Sequence, residues 1–173
     1  MIRKATTDDI SGVVSIYGKI LKLEAAGKVS TGWKENVYPT EQTALDAAEK
    51  NELFVLEEDG RILAAAKINR EQMPEYVHCQ WADQASDSEV MVLHTLVVDP
   101  DFSGYGIGKR FVRFYEEFAE KSNCRYLRMD TNEKNAAARA LYQKLGYSER
   151  GVIPCAFNGI EGVQLVCLEK KLG

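Results

Sequence analysis

The sequence predicts a mixed α/β (α+β) fold in which residues 1–173 form one domain. Two observations lead to this prediction. Strand-length apolar runs alternate with helical stretches whose apolar residues recur every three or four positions, and no internal repeat or linker-like stretch divides the chain. A chain of this length also buries a substantial core. The predicted order of elements is β-α-α-β-β-β-α-β-α-β-β.

The first half of the chain contains an edge strand, two helices and a hairpin. Their predicted bounds are 1–5 for the edge strand, 10–27 and 40–50 for the helices, and 53–57 and 62–68 for the hairpin strands. The first helix follows from Ile10, Val13, Val14 and Tyr17, which recur at helical spacing. The hairpin follows from Asp59-Gly60 between the strands, since both residue types tolerate a positive φ.

The second half contains four more strands and two helices. The predicted strands are 89–98, 125–130, 147–157 and 162–170, and the predicted helices begin near 107 and at 135. The run from Glu89 to Val98 is almost continuously apolar, as expected of a strand buried on both faces. The polar segment from Asn69 to Ser88 has no clear period. A connection of this length is either mobile or functional, so this segment is a candidate lid.

Composition and charge narrow the function classes. The net charge is −4, so non-specific binding to nucleic acid is not expected, and a cationic amine is tolerated as a substrate. No run approaches the ~20 apolar residues of a membrane-spanning helix, and the N-terminus lacks an apolar signal region. We therefore expect a cytoplasmic protein with no membrane partner. Four widely spaced cysteines and two histidines predict no metal site.

A glycine-rich turn follows the apolar strand and leads directly into a helix. The residues are Ser103, Gly104, Tyr105, Gly106, Ile107, Gly108 and Lys109. Backbone amides without neighbouring side chains approach a ligand closely, and a helix N-terminus attracts an anion such as a pyrophosphate. The G-x-G-x-G spacing fits neither the dinucleotide fingerprint nor a P-loop. A turn that binds no ligand is the alternative at this point.

A second segment, Asn135 to Tyr147, reads Asn-Ala-Ala-Ala-Arg-Ala-Leu-Tyr-Gln-Lys-Leu-Gly-Tyr. Together the two segments resemble the GCN5-related N-acetyltransferase (GNAT) superfamily. That family has a phosphate loop, Arg/Gln-x-x-Gly-x-Gly/Ala, and a later signature, Asn-x-x-Ala-x-x-Leu-Tyr-x-x-Leu-Gly-Phe/Tyr. The order of elements agrees over nearly the whole chain. Ser103 departs from the family's Arg or Gln, which removes one side-chain contact and leaves the backbone cradle.

The resemblance implies a mixed sheet in which strands 4 and 5, here 89–98 and 125–130, splay apart and hold acetyl-CoA between them. Backbone groups of Leu96 and Val98 pair with the pantetheine arm, and the Asn135 amide holds it. The implied cofactor contacts are Leu96, Val97, Val98, Ser103, Gly104, Tyr105, Gly106, Ile107, Gly108, Lys109, Asn135, Ala138 and Tyr142.

The implied activity is acetyl-CoA-dependent N-acetylation of a primary amine on a small molecule, by direct attack and without a metal. Two alternatives stand beside it. The acceptor is a peptide or protein amine, or the chain is a non-catalytic module that senses acyl-CoA. A homodimer is a further expectation, because dimers are common among proteins of this kind.

Three side chains are candidates for proton transfer. The resemblance implies Tyr142 as the acid for the departing thiolate, and the alternative is a core tyrosine. Strand alternation places His94 on one face with Val92 and Leu96, beside the cofactor, where an imidazole is a candidate base. A buried histidine bonded to the backbone is the alternative. Glu89, at the start of the same strand, is the rival base, and water is the third choice.

Acceptor contacts are expected from the irregular segments. The resemblance implies that the connection between the first two helices, 29–39, walls the acceptor cleft, and Trp33 and Tyr38 lie in it. The next candidates lie in the long polar segment and are Tyr76, His78 and Trp81. Aromatic and acidic groups together suit an ammonium. The alternative is that these residues pin a surface loop or build a dimer contact.

Overall fold

The computed structural model describes residues 1–173 and contains one seven-stranded mixed sheet covered on both faces. The strands are β1 (Ile2–Lys4), β2 (Leu53–Glu58), β3 (Arg61–Asn69), β4 (Val90–Val98), β5 (Tyr126–Asn132), β6 (Ser148–Phe157) and β7 (Ile160–Lys171). The helices are α1 (Ile10–Ala25), α2 (Glu41–Glu49), α3 (Ile107–Lys121) and α4 (Ala136–Lys144). This order confirms the predicted one. None of these helices is both long and apolar enough to cross a bilayer.

The strands lie in the order β1-β2-β3-β4-β5-β7-β6. Every neighbouring pair is antiparallel except β4 and β5. These two parallel strands pair only from Val90 opposite Tyr126 to Leu93 opposite Met129. Beyond this point both strands continue without pairing to each other, which confirms the splayed strands 4 and 5.

A β-bulge in β4 lies where the two strands separate. His94 and Val97 each pair with a residue of β3, yet Thr95 and Leu96 lie between them where β3 has only Ala66. Thr95 has a φ of 53°, in the left-handed region that β-branched residues rarely adopt. One extra residue bends a strand and re-aims the side chains that follow it.

The bulge also reverses the alternation of side chains along β4. Leu96 and Val98 pack against the same core cluster as Leu93, whereas Val92 belongs to the core on the opposite face. The prediction that His94 shares one face with Val92, Leu96 and Val98 is therefore wrong. An inserted residue moves the side chains that follow it to the opposite face, so simple period-two alternation fails beyond a bulge.

Three apolar clusters hold the layers together. The largest joins the sheet to α3 and α4 and includes Phe111 and Tyr115, which are fully buried. The second packs α1 and α2 against the other face, at the β1–β4 side. The third lies on that same face beside β6 and β7, beneath the connection between β3 and β4. That connection contains two short 3-10 helices, Pro74–His78 and Asp87–Glu89.

Candidate active site

A narrow cavity of about 130 Å³ occupies the gap that opens between β4 and β5. Residues from β4, β5 and α4 line it, together with Trp33 from the α1–α2 connection. The predicted cofactor contacts in its wall are Leu96, Val97, Val98, Asn135, Ala138 and Tyr142. The fold thus brings together residues that lie about 40 positions apart in the sequence.

The turn before α3 presents a row of unpaired backbone amides. The N–H groups without an acceptor in the protein are those of Gly104, Gly106, Ile107, Gly108 and Lys109. Gly104 and Gly106 have φ values of 85° and 75°, so glycine suits both positions. Free amides at the positive end of a helix dipole fit the pyrophosphate of a nucleotide-type ligand.

Helix α4 begins with Asn135, whose Oδ1 accepts a hydrogen bond of 3.2 Å from the amide of Ala138. The cap fixes the side chain and leaves its NH₂ group free beside the cavity. Two turns later Tyr142 lines the same cavity and is 7% exposed. Burial, and to a lesser extent the charge of Asp130, raise the pKa of its hydroxyl above the usual value. Tyr142 therefore keeps its proton near neutral pH.

A larger cleft of about 610 Å³ adjoins this cavity. Its walls come from the α1–α2 connection, α2, the ends of β3 to β5, the start of the β3–β4 connection and the β6–β7 turn. Tyr38 lines the cleft, and its hydroxyl is hydrogen-bonded to Oγ1 of Thr95. The Tyr38 ring packs edge-on against Trp33 and Phe157, with centroids 6.0 and 5.2 Å away.

The cleft and the narrow cavity share three residues, Thr95, Asp130 and Phe157. Asp130 lies on β5 just after the last residue that pairs with β4. Its Oδ2 accepts a hydrogen bond of 2.6 Å from the hydroxyl of Tyr76, and its Oδ1 has no partner in the protein. Burial raises the pKa of Asp130 to about 6. A carboxylate with a pKa of about 6 can accept a proton near neutral pH.

Asp130 is not among the site residues predicted from the sequence. The signal that could have found it was its place in the sequence. It ends the predicted strand beside the gap, and ligands bind where neighbouring parallel strands diverge at their carboxyl ends.

Comparison with known proteins agrees with this geometry. A sequence model of the Acetyltransferase (GNAT) family matches residues 22–147, well over half of the chain. The chain belongs to the GNAT family.

The relatives of this GNAT chain are distant. An uncharacterized N-acetyltransferase of Methanocaldococcus jannaschii is 25% identical over 158 residues, which cover 88% of this chain and 62% of that protein. The S-(2-succino)cysteine N-acetyltransferase of Bacillus subtilis is 28% identical over 104 residues, 59% of this chain and 58% of that protein. The chain spans about three fifths of the length of these curated relatives.

Solved GNAT structures superpose over the whole chain. A GNAT-family acetyltransferase from Streptococcus agalactiae gives a TM-score of 0.83 at 23% identity and covers 100% of this chain and 95% of its own. The yncA protein of Salmonella typhimurium, solved with its cofactor acetyl-CoA, gives a TM-score of 0.69 at 17% identity, with 100% and 94% coverage. These likenesses confirm the predicted fold class.

In this GNAT chain His94 faces the larger cleft, not the narrow cavity. Its Nε2 lies 2.9 Å from Oδ1 of Asn69, whose NH₂ group donates to Glu52 and Glu71. Since the Asn69 oxygen is the acceptor, Nε2 of His94 is the donor. Burial, and then the charge of Lys67, lower the pKa of His94 to about 4. The ring is therefore neutral at pH 7 and a weak base.

Glu89 lies away from both cavities. It ends the short helix Asp87–Glu89 at the start of β4, whereas the gap opens at the strand's other end. Its Oε2 accepts hydrogen bonds from the hydroxyl and the amide of Ser86, at 2.7 and 3.2 Å. These bonds lower the pKa of the Glu89 carboxyl. The carboxylate caps a helix in this arrangement.

Trp81 lines neither cavity. Its Nε1 donates a hydrogen bond of 2.9 Å to the carbonyl of Tyr76, and its ring packs in the third cluster. This placement favours the alternative that Trp81 pins the β3–β4 connection. Tyr76 and His78, which were predicted with it, also line neither, whereas Trp33 lines the narrow cavity and Tyr38 lines the larger cleft.

Proposed function

We propose that this chain is an acetyl-CoA-dependent N-acetyltransferase that acetylates a primary amine of a small molecule by direct attack. One observation carries the proposal. A narrow cavity with the signature residues of a donor site lies beside a larger cleft, and the two share a carboxylate, Asp130, in their walls. An acyl donor and an amine entering from opposite sides would meet there.

The donor side fits acetyl-CoA, which supplies an activated acetyl thioester when bound. The free amides of the turn, which are those of Gly104 and of residues 106–109, suit its pyrophosphate. The backbone of Leu96 and Val98 suits the pantetheine arm. The NH₂ group of Asn135 adds one directed donor. A narrow gap lined by unpaired strand ends binds an extended arm as a further strand would.

The acceptor side calls for a base and a cation site, and Asp130 serves as both. An amine arrives at neutral pH as an ammonium, which a buried carboxylate attracts. Oδ1 of Asp130 takes the proton and leaves the amine lone pair free to attack. On the donor side, the hydroxyl of Tyr142 holds the proton that the departing thiolate needs. Among the candidate bases, Asp130 is favoured over His94 by basicity and over Glu89 by position.

Two observations support a small acceptor. The cleft volume of about 610 Å³ lies within the range that small-molecule sites occupy. One relative is named for the acetylation of S-(2-succino)cysteine, which is a small amine. The lining of the cleft carries Lys50, Lys67, Asp46 and Glu71, so polar groups surround the acceptor.

Release of free thiol from acetyl-CoA, measured over a panel of amino acids, polyamines, arylalkylamines and short peptides, tests the proposal. We expect turnover on one class of free amine. Asp130→Asn and Tyr142→Phe should each lower kcat by about 100-fold or more without abolishing CoA binding. Turnover on peptides alone would replace the small acceptor with a peptide amine. Tight binding of acetyl-CoA without turnover on any amine would identify a sensor.

A further inference from the structure

The hydroxyl of Tyr76 makes the only hydrogen bond that Asp130 accepts from a side chain, at 2.6 Å to Oδ2. Tyr76 belongs to the short helix Pro74–His78, outside the β-sheet, and is 2% exposed. It lines neither the cleft nor the narrow cavity. Any effect of Tyr76 on the chemistry between the cleft and the narrow cavity must therefore pass through Asp130.

The Tyr76 ring has a fixed position. Its own carbonyl accepts the hydrogen bond from Nε1 of Trp81, and the two rings pack edge to face at 5.3 Å. The ring also belongs to the third apolar cluster, which includes Val90 and Leu165. A phenol held on all sides donates in one direction, so it selects one orientation of the carboxylate that accepts from it.

We propose that Tyr76 is a positioning residue, which holds Asp130 with Oδ2 occupied and Oδ1 left as the atom that takes the proton of the amine. This inference rests on the proposed function, in which Asp130 is the base. It gives the β3–β4 connection a task in the reaction, because that connection carries the residue that orients the base.

The same hydrogen bond sets the proton affinity of Asp130. Burial raises the pKa of Asp130 to about 6, and the bond from Tyr76 opposes this rise because it stabilises the charged carboxylate. Glu75 raises the pKa further. The other titratable groups that interact with the charge of Asp130 are Tyr38, Cys79, Tyr142, Cys155 and Cys167. Those that share the larger cleft with it are Tyr17, Asp46, Lys50, Lys67, Glu71 and His94.

Tyr76→Phe removes the hydroxyl and keeps the ring. We expect the pKa of Asp130 to rise by about one to two units, since a hydrogen bond to a charged group is worth that much. The acidic limb of the kcat profile should move up equally, so that kcat at pH 6 falls about fivefold or more and recovers near pH 9. The measurements are a titration of ¹³C-labelled aspartate by NMR, with Asp130→Asn as the assignment, and kcat at saturating amine.

Tyr147→Phe is the matched control. Tyr147 is 3% exposed, its hydroxyl has no hydrogen-bond partner, and it lies in the first cluster, on the other face of the sheet. The signature that it ends accepts Phe at this place. This variant should leave both the Asp130 titration and the kcat profile unchanged.

A double variant separates positioning from structure. If Tyr76 acts through Asp130, Tyr76→Phe has no further effect on kcat in the Asp130→Asn background; an equal loss there would mean a structural role and overturn the inference. An unmoved Asp130 titration in Tyr76→Phe would also overturn it. The NMR titration does not depend on turnover. If the wild-type chain acetylates no amine, the proposed function fails, and the titration still decides whether Tyr76 controls Asp130.

Discussion

The indole ring of Trp81 lies over the guanidinium of Arg128, with 4.1 Å between the ring centroid and Cζ. Arg128 is buried in β5 and donates from Nε to Glu169 of β7 at 3.0 Å. Both ionic side chains are less than 5% exposed. The β3–β4 connection thus covers a buried ion pair with one aromatic side chain, and the same side chain holds Tyr76.

Trp81→Ala should therefore lower stability far more than it changes acceptor affinity. The variant removes a large, partly buried ring and a cation–π contact, and it lets water reach a buried ion pair. We expect a loss of about 2–4 kcal/mol in the free energy of unfolding. Urea denaturation measures this loss, and the KM for the amine should stay within about twofold. A large rise in KM at unchanged stability would instead return Trp81 to the acceptor site.

Gly106→Ala should weaken CoA binding about tenfold. An L side chain at a φ of 75° strains the turn, and relief of that strain rotates the free amides away from the pyrophosphate. Isothermal titration with CoA measures the change in Kd. Gly27→Ala is the control. Gly27 has a φ of 68° and no atom within 4 Å of the place that a Cβ would take. It follows the end of α1 and lies outside both cavities. Equal losses of affinity in both variants would contradict a specific phosphate cradle.

His94→Gln should leave the acidic limb of the kcat profile in place. The pKa of His94 is lowered to about 4, so the ring does not titrate between pH 5 and 9. The limb near pH 6 reports Asp130, and kcat rises with pH as that carboxyl loses its proton. Profiles of His94→Gln and Asp130→Asn, measured side by side, check this assignment. If the limb disappears in His94→Gln and persists in Asp130→Asn, the imidazole is the base.

Asp130→Asn should stabilise the fold while it lowers activity. A carboxyl whose pKa is raised from 3.8 to about 6 binds its proton more tightly in the folded state, so wild-type stability falls as pH rises through that window. Asn carries no charge and still accepts from Tyr76. We expect a gain of about 1–3 kcal/mol at pH 7 or above, and none below pH 4. Thermal unfolding at pH 4 and pH 8 tests the sign, and a loss at pH 8 would contradict it.

The donor half of the site could be predicted from the sequence because it depends on local backbone structure. The first amides of a helix lack partners within it, so a glycine-rich turn before a helix presents free amides whatever the rest of the fold is. Asn135 likewise caps α4 locally, through a hydrogen bond from the amide of Ala138 three residues later. The order of strands and helices follows from periodicity for the same reason. Two short segments therefore predicted an anion at the start of α3 and, through their resemblance to the GNAT family, acetyl-CoA as the donor.

The acceptor half could not be predicted, since its residues meet only across the sheet. Period-two alternation does not predict the bulge at Thr95, so it assigned His94 to the wrong face of β4. Asp130 is a candidate base only in the folded chain, where it lies between the two cavities and burial raises its pKa to about 6.

Short-range patterns thus specify the fold class and the glycine-rich turn, and two sequence motifs specify the family. Which carboxylate lies between the two cavities, and what burial does to its pKa, depends on the tertiary structure. The proton affinity of a buried group depends on everything packed around it, and distant parts of the chain supply those neighbours.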